Sequence, residues 1–516
     1  MGRNGAEFAL EAARAAGVEV CFANPGTTEM DLVVALDKVP EIRSVLCLFE
    51  GVATGAADGY GRIAGKPALT LLHLGPGFAN GIANLHNARR AGSPVLNLIG
   101  DHATWHLAAD APLTSDIKSL AASVSQFVRR SATPVEFARD LVDGVAAATG
   151  SPSGVASLIV AQEAAWEDAE GELPDLEMAA AVAAEPAAVA EAASRLRGKG
   201  AQAGLLLGGM LDGEALEAAA RIRASTGCQV WLDTFVPRLR EGRGIPHFDA
   251  VPYFPEQAME TLAGVESLVF VGTRSPVAFF GYRSVGRSSL LPEGCETLGL
   301  SGPGQRPGPD LLALAEALET GPAPGVADAP LGPVAEGAID VVSLGLILAH
   351  WLPEEAILVN EAATSGLGWG LYGRSAAPHD VLSLTGGAIG QGIPNALGAA
   401  VAAPDRRVVA LQADGSGLYT LQGLWTMARE ELDVTVIVCA NRAYRILQAE
   451  LGRTGPAEPG PVAQAMTDLS RPVIEWTRLA EGMGVASCQV SQNRELQAAL
   501  EARRAERGPY LIEVLL

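Results

Sequence analysis

Arg407-Val408-Val409-Ala410-Leu411-Gln412-Ala413-Asp414-Gly415-Ser416 is the stretch that decides the fold, together with Val434–Cys439 and Asn441 further on. The apolar run Arg407–Gln412 reads as a buried strand, Tyr419–Glu431 as a helix and Val434–Cys439 as the next strand. Asp414 then falls just past a strand and at the start of a helix. In a parallel sheet this is the carboxyl edge, where ligands bind. A helix start offers free N–H groups and a positive dipole end, which suit a phosphate. Asp414 offers a hard carboxylate to Mg²⁺. The chain returns to the same edge 27 residues later with Asn441, and the Ala443 carbonyl follows two residues on. Mg²⁺ prefers octahedral oxygen ligation shared with a phosphate. The plain alternative is an Asx turn at Asp414 and a turn-forming Asn at a strand end. The strand–helix–strand context together with Asn441 favours the metal–pyrophosphate reading.

Outward from this stretch, the 516 residues divide at two linker-like segments, Trp166–Glu177 and Gly321–Gly337. The expected blocks are 1–170, 185–325 and 338–516. Each alternates short apolar runs with Ala-rich helical patterns: Pro67–His73 and Val95–Gly100 around Ala79–Ala91, then Gly204–Gly209, Val230–Asp233 and Leu268–Gly272 with Glu214–Thr226. The fold class is therefore α/β, with three doubly wound parallel-sheet domains. The first and last blocks share the order helix, strand, Gly-rich turn, helix, strand, with the turns at Gly75–Gly77 and Asp414–Ser416. This reads as a weak internal repeat of one fold.

The formal charge of −22 argues against nucleic acid or an anionic membrane as a partner. The only lysines are Lys38, Lys66, Lys118 and Lys199, and no GK[ST] occurs, so Schiff-base and P-loop chemistry have almost nowhere to sit. Cys21, Cys47, Cys228, Cys295, Cys439 and Cys488 are scattered, which points to reduced thiols rather than zinc or disulfides. Met1–Val20 lacks the order of a signal peptide, and runs such as Val341–Leu352 are too short to span a bilayer. The chain reads as cytoplasmic.

Asp414-Gly415-Ser416 followed by Asn441, in the last third of a three-block α/β chain, resembles the cofactor motif of a known superfamily. This is the thiamine-diphosphate-dependent superfamily of acetolactate synthase (large subunit), benzoylformate decarboxylase and pyruvate decarboxylase. The resemblance extends over essentially the whole chain. Phe22–Glu29 is similar to the family's GxPG-type loop. Glu50-Gly51 with Ala56–Arg62 resembles its glutamate element, Gly75-Pro76-Gly77 with Asn80 and Asn84 its helix start, and Gly386-Gly387 through Pro394 the element before the cofactor motif. Several matches in the right order are more specific than any one.

The resemblance implies roles. Glu50 would hydrogen-bond the aminopyrimidine N1′ of thiamine diphosphate and promote proton removal at C2, a relay that requires a carboxyl held in an apolar site. Ile389 would sit under the cofactor and bend it. Pro25, Gly26, Asn80, Gly387, Gly415 and Ser416 would line the cofactor, with Asp414, Asn441 and Ala443 holding Mg²⁺. Asn360-Glu361 would touch the pyrophosphate edge. His73 aligns with a histidine that benzoylformate decarboxylase uses at the substrate carboxylate. Glu50 and the metal motif would come from different subunits, implying a homodimer or homotetramer.

Departures from the family pattern are informative. Ala413 stands where Gly is usual, and fits if the backbone there needs no positive φ. Arg442 stands where Asn or Gly is common. Phe279 and Phe280 occupy the region of benzoylformate decarboxylase's second histidine, and the ending Tyr510–Leu516 reads as a strand, without the longer C-terminal lid segment expected of acetolactate synthase. The expected activity is decarboxylation of a 2-oxo acid to an enamine, captured by a proton (decarboxylase) or a second carbonyl (carboligase). The alternatives are an inactive cofactor-binding paralogue with a regulatory or scaffolding role, or a lyase on another 2-oxo or 2-hydroxyacyl substrate. Gly208-Gly209 and Gly272-Thr273-Arg274 sit at strand ends of the middle block, but without a GxGxxG fingerprint FAD is not favoured.

Overall fold

Strand residues such as Val95–Ile99 are buried on both sides of their sheet, so near-continuous apolar runs are what a doubly covered parallel sheet demands. In a computed structural model, which describes residues 2–177, 183–327, 329–454 and 459–516, these runs form three sheets. Within the second linker, Asp328 lies outside the described residues.

The first sheet is wholly parallel and uses Val20–Asn24, Arg43–Leu46, Ala68–Leu72, Val95–Asp101, Phe127–Ser131 and Val155–Ala161. Numbered along the chain, its strands lie in the order 2-1-3-4-6-5. In the last block the strands are Ile357–Glu361, His379–Ser383, Val408–Ala413, Val434–Ala440, Ala486–Val490 and Tyr510–Leu515. Numbered the same way, they too lie in the order 2-1-3-4-6-5. The internal repeat is therefore one topology used twice. In both sheets the order reverses beside strands 1 and 3, the position at which open α/β sheets bind ligands.

The middle block has its own four-stranded parallel sheet, from Ala203–Leu207, Gln229–Leu232, Ser267–Val271 and Glu296–Gly299. It also lends two strands to the last block, which three separate parallel sheets did not anticipate. Arg238–Glu241 pairs antiparallel with His379–Ser383, and Met210–Leu211 adds outside it. The pattern Arg-Leu-Arg-Glu carries too little apolar signal to read as a strand. Ion pairs anchor it instead: Arg238 Nε lies 3.0 Å from Asp380 Oδ1, and Arg240 pairs with Glu355.

Two local expectations change. Gly75-Pro76-Gly77 is not a turn but the first turn of helix Leu74–Ala91. The helix after Asp414 is broken into one turn, Asp414–Gly417, and a short helix, Gly423–Arg429, so the long dipole expected there is absent.

The first and last blocks meet through helices Glu50–Ala64 and Gly392–Ala402. Small buried residues, among them Ala53, Ala56, Ala396 and Ala399, allow a close approach. A Cβ at Gly398 would collide with the Ala56 carbonyl oxygen, so this position requires glycine. At the same junction Arg62 and Asp58 form a fully buried ion pair at 2.6 Å. Arg62 also donates to the Pro237 and Ser383 carbonyls, and Asn395 Nδ2 to Asp58 Oδ2, tying all three blocks together. The six cysteines are unpaired. Among the described residues, no helix is long and apolar enough to cross a membrane.

Candidate cofactor and substrate site

The Asp414 carboxylate is buried at the end of strand Val408–Ala413. Its Oδ1 accepts from the Gly415 N–H at 2.9 Å and its Oδ2 from the Arg442 N–H at 2.7 Å. Burial pushes its pKa up, and among the described residues no Lys, Arg or His pairs with it. Asn441 follows the adjacent strand; its Oδ1 accepts from the Ala443 N–H at 3.0 Å and its Nδ2 donates to Ser365 Oγ at 3.3 Å. A buried carboxylate without a counter-ion, bonded to the backbone of Arg442 next to Asn441, offers the hard-oxygen chemistry that fits a divalent cation. No group of three or more His, Cys, Asp or Glu placed to hold a metal exists among the described residues.

The departures resolve in opposite ways. Ala413 has φ −78°, so no glycine is needed before the Asp. Arg442 has φ +55°, which explains why Asn or Gly suits that position; its side chain is exposed and only its backbone touches Asp414. Ser416 Oγ lies 2.6 Å from Gln412 Nε2, and a Cβ at Gly415 would collide with the Tyr444 ring.

Beside this motif, the loop from Gly386 to Gly392 is pinned on both sides. Glu361, fully buried with its pKa raised by burial, accepts from the Gly390 and Gly392 N–H groups at 2.6 and 2.5 Å. From the first block, Asn84 Nδ2 donates to the Gly390 carbonyl, while Asn87 exchanges hydrogen bonds with both backbone groups of Ala388. Ile389, half-buried, is thereby held between two fixed neighbours. Gly387, at φ +76°, lies under Phe279, whose ring joins Phe235, Tyr253 and Phe280 in an aromatic cluster.

Glu50 is the first residue of helix Glu50–Ala64 and is buried, not a surface cap. Its Oε2 accepts from Asn80 Nδ2 at 3.0 Å. His73 follows strand Ala68–Leu72, and its Nδ1 lies 2.9 Å from Glu29 Oε2. The Gly26 N–H also donates to Glu29 Oε2, at 2.7 Å, and a Cβ at Gly26 would collide with the His73 ring; Pro25 is half-buried just before it. Asn80, Asn84 and Asn87 share one face of helix Leu74–Ala91, so a single helix clamps both Glu50 and the loop that carries Ile389. Within one chain no hydrogen bond or ion pair among the described residues joins the Glu50–His73 group to the Asp414–Asn441 group.

Glu29, Gln412 and Ser365 had no assigned role in the sequence reading. Glu29 stood inside the Phe22–Glu29 match, so a carboxylate at a strand-1 exit was a readable signal. The middle-block glycines serve packing: a Cβ at Gly208 would meet Thr273 Cβ at 2.6 Å, and Gly272 lies against the Gly208 carbonyl.

Two family profiles match: "Thiamine pyrophosphate enzyme, N-terminal TPP binding domain" over residues 3–120, and the corresponding "C-terminal TPP binding domain" over residues 364–514. The IlvX protein of Mycobacterium tuberculosis, which carries the name of an acetolactate synthase large subunit, is 47% identical over 99% of both chains. Benzoylformate decarboxylase of Pseudomonas aeruginosa is 26% identical over 98% of this chain and 97% of its own. The Rhodococcus jostii thiamine diphosphate-dependent 4-hydroxybenzoylformate decarboxylase superposes with a TM-score of 0.83 at 22% identity, covering 99% of this chain and 98% of its own. With both terminal domains matched and a full-length relative this similar, the chain belongs to the thiamine pyrophosphate enzymes related to acetolactate synthase and benzoylformate decarboxylase.

Proposed function

We propose that the protein is a Mg²⁺- and thiamine-diphosphate-dependent enzyme that removes CO₂ from a 2-oxo acid, as a decarboxylase or as an acetolactate-synthase-like carboligase. The observation that carries this reading is the pair of buried carboxylates at sheet edges of the same topology: Glu50 steadied by Asn80, and Asp414 left without a counter-ion. When bound, the cofactor would supply an electron sink for the electron pair left on the retained carbon as CO₂ departs.

The chain's own residues have separable tasks. Glu50 holds or moves a proton at its Oε2, the atom steadied by Asn80. Asp414, Asn441 and the Ala443 carbonyl hold Mg²⁺, while Gly415 and Ser416 flank the pyrophosphate. Pro25, Gly26 and Gly387 line the cofactor, and the pinned Ile389 fixes its shape. His73 faces the substrate carboxylate. Phe279 and Phe280 give the substrate side chain an apolar wall and exclude water. As the family resemblance implies, the active form is a cytoplasmic homodimer or homotetramer whose complete sites pair Glu50 of one subunit with the metal motif of another.

The test is to incubate the protein with thiamine diphosphate, Mg²⁺ and a panel of 2-oxo acids, measuring CO₂ and acyloin products together. CO₂ release that needs both additives supports the reading, and acyloin yield separates carboligase from decarboxylase. No turnover of any member would overturn it in favour of an inactive paralogue.

A further inference from the structure

Behind His73 stands a buried carboxylate that the proposed chemistry does not use. Glu29 is fully buried. Its Oε2 takes both the His73 Nδ1 contact, at 2.9 Å, and the Gly26 N–H, at 2.7 Å, while its Oε1 accepts from the Thr28 hydroxyl. An ionised carboxylate is an acceptor only, so the contact requires His73 Nδ1 to carry the proton. The tautomer is thereby set, and Nε2 is the ring nitrogen left to meet a ligand. Among the described residues, no hydrogen bond reaches Nε2.

The fold is shaped to admit this pair. A Cβ at Gly100, on the strand beside the one that His73 follows, would collide with Glu29 Oε1, and a Cβ at Gly26 would collide with the imidazole. Immediately after His73, Leu74 is held at φ +48°, a conformation that strains a residue with a side chain. It lets the backbone leave the strand and enter helix Leu74–Ala91 at once, keeping the ring at the sheet edge.

We propose that Glu29 is a positioning residue for His73. Its charge-assisted hydrogen bond holds the proton on Nδ1 and aims Nε2 at the substrate, where it accepts a hydrogen bond as the neutral ring and donates one to the carboxylate once it has taken up a proton. This rests on the placement of His73 at the substrate. A plain structural staple for the loop Asn24–Glu29 is the competing role, and the two predict different couplings.

The experiment has two arms. In the first, the protein is labelled with ¹⁵N-histidine, and the His73 signal is identified by its loss in His73→Gln. Wild type is expected to show Nδ1–H, and Glu29→Ala to lose it; an Nε2–H ring in wild type overturns the proposal. This arm needs no turnover, so it stands even if the 2-oxo acid reading fails. In the second, a double-mutant cycle is read in kcat/KM. Glu29→Ala is expected to lower it about 100-fold in the wild type but less than about threefold in the His73→Ala background, because the two act as one unit. An equal loss in both backgrounds means a structural staple and overturns the proposal. The isosteric Glu29→Gln keeps the packing and is expected to cost about tenfold, the loss of a charge-assisted hydrogen bond. Wild-type kcat/KM in Glu29→Gln would contradict the charge requirement, whether or not Glu29→Ala folds.

Discussion

The first and last blocks thread six parallel strands in the same order, yet their matching strand ends carry different side chains with different partners. At the exit of strand 3 the first block places His73, backed by Glu29, and the last block places Asp414, backed by no cation. After strand 1 of the first block, Glu29 contacts an imidazole and accepts from a backbone amide, whereas Glu361, the last residue of strand 1 of the last block, accepts from two backbone amides and the Gln412 side chain and pins a loop. One scaffold thus makes a half-site whose buried acid is already paired and another whose buried acid has no counter-ion, the one proposed here to hold Mg²⁺. A third buried acid, Asp58, sharpens the contrast: paired with Arg62 and tied to all three blocks, it is architecture.

The largest effect expected is on chemistry. Glu50→Gln should cut turnover at least about 100-fold, the scale of lost proton-transfer catalysis, with little change in melting temperature. Undiminished activity would remove the role given to Glu50. Next, Arg62→Ala should destabilise the chain by about 3–5 kcal/mol in chemical unfolding, because Asp58 is left buried and unpaired. Asp414→Asn should do the reverse without ligands: an unchanged or higher melting temperature, since the variant removes a carboxylate that burial already penalises. A loss resembling that of Arg62→Ala would break the comparison.

A smaller effect concerns acid. Burial raises the Asp380 pKa, but Arg238 and Arg406 outweigh it and hold the carboxyl below its usual range. Its contribution is therefore fully present above the unfolded carboxylate pKa of about 4 and is lost as pH falls through the lower folded value. Arg238→Met should flatten that acid limb in unfolding titrations. Smallest of all, Arg442→Gly should relieve a positive φ at a net gain under about 1 kcal/mol, the glycine's added unfolded-state freedom offsetting part of the relief.

Much of this was legible in the sequence. Buried strands announce themselves as apolar runs, and the Asp414–Asn441 spacing is that of a helical stretch, here in two pieces, and one strand. The strands at Arg238–Glu241 and Met210–Leu211 were not, because ion pairs and edge pairing hold them rather than an apolar period. The broken helix after Asp414 is not legible because Tyr419–Glu431 carries a helical pattern whether or not tertiary packing interrupts it before Gly423. Glu29 shows no task in its own stretch of sequence, since only the fold brings it to His73 from 44 residues away.

The most direct test of the central claim, that Asp414 is an acid waiting for a cation, is calorimetric titration of thiamine diphosphate into the wild type and Asp414→Asn, with Mg²⁺ and with chelator. The account predicts tight binding by wild type only with Mg²⁺, and a variant whose weak binding ignores the metal. Equal binding by wild type in Mg²⁺ and in chelator, or a variant that keeps its Mg²⁺ response, would contradict it.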